Sequence, residues 1–294
     1  MKTNKHAYVR NLSFFCFLFA LVILTACKPS KPFPDLKEWD LLIISDSSNY
    51  GVGQKYAELI EADMNVKVNL HDCLVGGMSI GSALQALQSG KSLYPELGTV
   101  NCQTSWSDQA WSDLIKDAEV MVLFGNPLDS YPPDGSWNIP EDPNSCVMEG
   151  YAGWYLYPGF ETYKDNMLKA CAPDTWATYK AHLGAFLDEI DKIREGRPLI
   201  LRMTDIYIPL HSTWLKNEVD EVCTTCFGYI SEAIRQVADD HGVPVARTMA
   251  GLNGKDYRSE IPEEYLMDGI HLSNAGAQFI ATLLQKTGYE YAGK

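Results

Sequence analysis

Ser47 stands where an apolar run stops: Leu41-Leu-Ile-Ile-Ser-Asp-Ser47 passes from four aliphatic residues straight into hydroxyl and carboxyl groups. A serine hydroxyl is a poor nucleophile at its own pKa. It attacks an acyl carbon only when a base takes its proton and a third group orients that base. Far along the chain, Asp268-Gly-Ile-His271 sets a carboxylate and an imidazole three residues apart, so one turn of chain can carry both the base and its acid. Acyl transfer through Ser47, His271 and Asp268 is the chemistry that these residue types suit. Each also has a plainer reading. Asp268 can cap a helix, His271 can be a surface-loop histidine, and Asp46 can brace the turn after the strand.

The elements that must position these groups alternate. Leu41–Ile44 reads as a buried strand, Gln54 to Ala62 as a helix, and Val66–Leu70 as a second strand whose alternating polarity suggests an edge. A helix from Ser82 to Gln88, a loop from Asn101 to Ser107 and a helix from Asp108 to Ala118 lead into the strand Val120–Phe124. Then come a helix from Thr175 to Arg194, a strand Pro198–Met203, a helix from Asn217 to His241, a short strand Val243–Ala246 and a helix from about Asn274 to Thr287. Such alternation predicts an α/β protein: a parallel sheet of about five strands with helices on both faces. Ligands in such sheets bind beyond the carboxyl ends of the strands, where strand order reverses. Ser47 and Asn126 both follow strands directly.

A second serine competes. Gly77-Met-Ser79-Ile-Gly81 spells a G-x-S-x-G turn between a strand and a helix. Only one strand–helix unit precedes it, and Asp268 and His271 lie too close together to be the separate late loops that such an elbow uses. Ser79 therefore ranks below Ser47, with Ser48 as a further alternative. His71 and His211 also fall near strand ends, with no partner evident in the sequence.

Four separated blocks together resemble the GDSL or SGNH hydrolase family of esterases and lipases. They are Ser45-Asp46-Ser47 with Gly51, Gly76-Gly77-Met78-Ser79, Phe124-Gly125-Asn126, and Asp268-Gly-Ile-His271. The resemblance spans roughly Asp40 to Thr287. It implies a three-layer α/β/α sandwich with a flavodoxin-like sheet, Ser47 as nucleophile, His271 as base and Asp268 as its partner. It also implies an oxyanion hole made by the N–H groups of Ser47 and Gly77 and the side chain of Asn126, and an acyl-enzyme that needs no metal and no cofactor. Two blocks depart from the family pattern: Ser45 replaces the usual first glycine, and in the third block Asn126 is followed by Pro127 instead of aspartate, with Phe124 where a glycine is expected. The expected activity is hydrolysis of a carboxylic ester, whether a small ester, a lipid or an acylated glycan. The alternative is a non-catalytic, lipid-anchored binding protein on the same fold.

Residues 1–26 carry Lys2, Lys5 and Arg10, no acidic residue, and the apolar run Phe14–Leu24. That run is short for a membrane span and reads as the core of a secretory signal peptide. Leu24-Thr-Ala-Cys27 resembles the lipobox of bacterial lipoproteins, which makes Cys27 the expected lipidation site. Residues 27–39, including Lys28-Pro-Ser-Lys-Pro-Phe-Pro34, read as a stiff tether, and 40–294 as the hydrolase domain. The expected location is the cell envelope, exported and held at a bacterial membrane.

Removing the three basic residues of the signal takes the net charge from -14 to about -17. No basic cluster that would neutralise phosphates is left, which argues against a nucleic-acid partner. Six cysteines remain: Cys73, Cys102, Cys146, Cys171, Cys223 and Cys226. An even number in an exported chain reads as disulfides, with 15 connectivities open and nearest neighbours the simplest. Cys223-Thr-Thr-Cys226 lacks the second ligand pair that zinc would need.

Residues 127–173 break the alternation with Pro132, Pro133, Pro140 and Pro143 among their prolines and a dense set of aromatics such as Trp137, Trp154 and Tyr157. Aromatic side chains bury large areas. This insertion reads either as a wall of the substrate pocket or as a patch covering the sheet edge.

Overall fold

The computed structural model describes residues 32–74, 78, 80–90, 101–102, 111–125, 176–209, 220–269 and 271–291. The chain divides into two compact units, Met1–Asp35 and Leu36–Lys294, and the second contains the sheet and all of its helices. Among the described residues, no helix is long and apolar enough to cross a membrane. The expected signal segment, Cys27 with the tether as far as residue 31, and the whole 127–173 insertion lie outside the described residues.

Strands β1 (Glu38–Ser45), β2 (Lys67–Leu74), β3 (Asn101–Cys102), β4 (Val120–Phe124), β5 (Ile200–Thr204) and β6 (Val245–Ala246) form one sheet in the order β3-β2-β1-β4-β5-β6. All pairings are parallel except that of β2 with β3. The five parallel strands are those expected. The antiparallel strand β3 is not, because residues 101–107 read as loop; two residues carry no periodic signal, and it is their pairing with β2 that makes them a strand. That pairing also shows that β2 does not end at Leu70. It runs on to Leu74 through polar His71 and Asp72, so its outer edge is partly covered.

Helices α1 (Val52–Met64), α2 (Ile80–Ser89), α3 (Trp111–Asp117), α4 (Ala177–Arg194), α5 (Asp220–Asp240), α6 (Thr248–Leu252) and α7 (Asn274–Gln285) complete the fold. Successive side chains of a strand point to opposite faces of the sheet, and β1 shows the result. Leu42 and Ile44 join Met121, Leu123, Leu201 and Met203 in a core that α2, α3, α4 and α5 cover. Ile43 faces the other side, where a Cβ at Gly53 of α1 would lie 3.0 Å from it. There α1 packs along α7. The result is the expected three-layer α/β/α sandwich. Leu41 to Ile44 are all fully buried, and each such side chain contributes roughly 1.5–3 kcal/mol, so β1 is fixed at the centre of the sheet.

Cys73 is disulfide-bonded, and Cys102 stands directly opposite it in the β2–β3 register. Cys223 and Cys226 both fall within α5. Cys146 and Cys171, and the side chains of Cys102, Cys223 and Cys226, lie outside what the structure describes.

Candidate active site

β1 lies between β2 and β4, and the chain winds outward in opposite directions from that pair. The carboxyl ends of β1 and β4 therefore flank the point where strand order reverses, which is where open α/β sheets hold their ligands. Ser47 begins a single 3-10 turn, Ser47–Asn49, immediately beyond β1.

Asp46 caps that turn. Its Oδ1 accepts the Ser48 N–H at 2.8 Å and also the Ser48 hydroxyl. Ser48 Oγ in turn accepts from Asn49 Nδ2 at 3.1 Å. Burial pushes the Asp46 carboxyl above its ordinary range, against the pull of the two Ser48 donors. Asp46 thus braces the turn, and Ser48 is buried with its hydroxyl committed to Asp46. Asn49 and Tyr50 donate back to the Asp46 and Ser47 carbonyls. The Ser47 N–H is then the one amide of the turn with no acceptor among the described residues.

The candidate base, His271, comes from the turn before α7. Leu266 and Leu272 form an antiparallel bridge, and the Met267 N–H donates to the His271 carbonyl at 2.7 Å. Gly269 closes the turn at φ +85°, a conformation that side-chain-bearing residues avoid. Inside it, His271 Nδ1 lies 2.7 Å from Asp268 Oδ2, and the His271 N–H donates to Asp268 Oδ1 at 2.8 Å. The other ring nitrogen, Nε2, lies 3.2 Å from Ser47 Oγ. This chain of contacts suits a proton on Nδ1, leaving Nε2 to accept from the serine hydroxyl. Asp268 is half exposed and His271 about one-third exposed, so water reaches the assembly. Helix α7 begins at once, capped by Ser273, whose Oγ accepts the Gly276 N–H at 3.3 Å.

Two glycines bring the parts together. Gly51, at φ +80°, ends the loop that carries Ser47, and a Cβ there would meet Ala277 of α7 at 3.6 Å. Gly125 leaves β4 so close to β5 that a Cβ would stand 2.6 Å from the Thr204 carbonyl oxygen and 2.7 Å from Ile234. Its N–H donates to that same carbonyl at 3.1 Å.

Ser47, Asp268 and His271 are thus brought together. Gly77, Asn126, Ser79 and His211 lie outside the described residues. His71 sits on β2 with Nε2 3.7 Å from Asp40, in a pairing remote from Ser47. Tyr207, three residues beyond β5, has no signal in the sequence, yet its hydroxyl donates to the Ser48 carbonyl at 2.9 Å. Among the described residues no cluster of acidic, histidine and cysteine side chains could hold a metal ion.

No family model matches the chain, and no curated protein matches it by sequence. Solved structures do. A lipase, Lip_vut3, from a goat rumen metagenome superposes with a TM-score of 0.56 at 18% identity, covering 86% of this chain and 98% of that one. An extracellular lipase from Streptomyces rimosus gives a TM-score of 0.54 at 13% identity, with coverage of 85% and 99%. At these identities the likeness is one of fold: the chain shares its three-layer α/β architecture with these two lipases.

Proposed function

We propose that this protein is a serine ester hydrolase. The observation that carries the reading is the contact series from Ser47 Oγ to His271 Nε2 at 3.2 Å and from Nδ1 to Asp268 at 2.7 Å. The fold, shared with two lipases, supports it. In the first step His271 Nε2 takes the Ser47 proton as Oγ bonds to the ester carbonyl carbon, and Asp268 holds the imidazole in the Nδ1–H form. The developing oxyanion takes the Ser47 N–H, with the Gly77 N–H and the Asn126 amide as the further donors. One such donor contributes about a hundredfold to a thousandfold in rate. Collapse of the tetrahedral species breaks the ester C–O bond, and the leaving alkoxide takes the proton from Nε2. Water, deprotonated by the same nitrogen, then attacks the acyl-Ser47; collapse breaks the bond to Oγ, which takes the proton back from Nε2 as the acid departs.

The reaction needs no cofactor. The substrate is a carboxylic ester on a small molecule, a lipid or an acylated glycan. In this reading Cys27 carries a lipid that holds the exported enzyme at a membrane of the cell envelope. The deciding experiment is hydrolysis of p-nitrophenyl acetate by protein lacking residues 1–27. Wild type should turn over and Ser47→Ala should not; equal rates would remove Ser47 from the mechanism.

A further inference from the structure

The turn that carries Ser47 is poorly held by its own backbone. Its two internal bonds, Asn49 N–H to the Asp46 carbonyl and Tyr50 N–H to the Ser47 carbonyl, measure 3.5 and 3.3 Å, the long end of the range where such bonds weaken. A one-turn 3-10 segment with bonds this long cannot fix a nucleophile by itself. The third carbonyl, that of Ser48, is held differently: the Tyr207 hydroxyl donates to it at 2.9 Å, in a buried setting and across 159 residues of sequence.

Tyr207 is itself clamped on both sides. Before it, the fully buried Asp205 side chain accepts from Thr248 Oγ1 at 2.8 Å, from the Met249 N–H at 3.0 Å and from Arg235 Nη1 at 2.9 Å. After it, the buried Asn253 amide grips Ile208 at both backbone groups. Oδ1 accepts the Ile208 N–H at 2.8 Å, and Nδ2 donates to the Ile208 carbonyl at 2.9 Å. The segment leaving β5 is therefore tied to α6 and to the residue after it, and its tyrosine reaches the β1 turn from a rigid base.

We propose that Tyr207 is a positioning residue for Ser47, acting through the Ser48 carbonyl; this rests on Ser47 being the nucleophile. Its hydroxyl fixes the peptide plane after Ser48 and, together with Asp46 on the Ser48 N–H, holds the turn from two sides. A misplacement of about 1 Å at a reacting group can cost on the order of a hundredfold in rate, so a turn with weak internal bonds gains from an outside anchor.

The test is Tyr207→Phe, which keeps the ring and removes the donor. Two quantities are read: kcat and KM on p-nitrophenyl acetate, and the rate constant for labelling of Ser47 by a fluorophosphonate. The proposal expects kcat to fall tenfold or more, KM to stay within about twofold, and labelling to slow by a similar factor. A purely structural tyrosine would lower the amount of folded protein and leave the labelling rate constant of the folded fraction at the wild-type value, and that result would overturn the proposal. Wild-type protein whose Ser47 is not labelled at all would overturn the nucleophile assignment and this proposal together. If Tyr207→Phe does not fold, Asn253→Ser shortens the clamp while leaving the tyrosine hydroxyl in place. It should lower kcat and the labelling rate in the same proportion, and wild-type values for both would sink the idea.

Discussion

Asp268 holds His271 at two points, through Oδ2 on Nδ1 at 2.7 Å and through Oδ1 on the backbone N–H at 2.8 Å. Asp268→Asn keeps the second bond and inverts the first, because an amide with its oxygen on the backbone N–H turns its NH2 toward Nδ1. That favours the tautomer protonated at Nε2, which cannot accept the Ser47 proton. In a buried triad such a change costs about ten-thousandfold. Here the aspartate is 51% exposed, and water can take over part of its role. The expected fall in kcat on p-nitrophenyl acetate is therefore smaller, about tenfold to a hundredfold. An unchanged kcat would mean that the carboxylate does not orient the ring.

Asp72 provides a test of stability against pH. The residue is 6% exposed, its Oδ1 has no hydrogen-bond partner among the described residues, and burial pushes its pKa from 3.8 up to about 6. The folded chain thus holds a proton there that the unfolded chain gives up at lower pH. Stability falls as pH rises from about 4 to about 6, and the full cost is present above that window. Asp72→Asn should raise the free energy of unfolding by up to about 3 kcal/mol at pH 7.5 and by far less at pH 4. Urea unfolding at the two pH values decides the matter, and an equal gain at both would contradict it.

Arg194 gives a test far from the candidate site. Its Nη1 donates to the carbonyls of Ile115, Lys116 and Ala118 at 2.9, 2.8 and 2.7 Å, and Nη2 donates to Pro198. One guanidinium thereby closes the end of α3 and joins it to the chain entering β5. Arg194→Met keeps an apolar stem but leaves those carbonyls without their donor, each at a cost of about 1–3 kcal/mol where buried. Thermal unfolding should show a loss of about 3 kcal/mol or more, with kcat per folded molecule unchanged, since these groups lie at the opposite end of the strands from Ser47. A wild-type Tm would mean that water replaces the guanidinium without loss.

The sequence showed the parts that have local causes. β1 and β4 are unbroken apolar runs because both faces of a central parallel strand are buried, and the Asp268–His271 spacing is a property of a single turn. Other parts have causes elsewhere in the chain. β3 exists because β2 offers it an edge. The reach of β2 to Leu74 is hidden by His71 and Asp72, which interrupt the apolar pattern. Arg194 looks like the solvated last residue of an amphipathic helix, and only the return of α3 to meet it reveals a cap. Tyr207 could not be read as a partner of Ser48, because nothing in the sequence near either residue reports the other. Gly125 is visible as a glycine, but its need is visible only once Thr204 lies against it.

Because 224 residues separate Ser47 from His271, a ribosome delivers the proposed nucleophile early and its proposed base late. The turn that holds Asp268 and His271 runs directly into α7, which packs along α1. In the proposed mechanism, a chain that has not yet received that segment offers Ser47 no imidazole to take its proton. On that reading Ser47 stays unarmed until the last helix of the fold has been made.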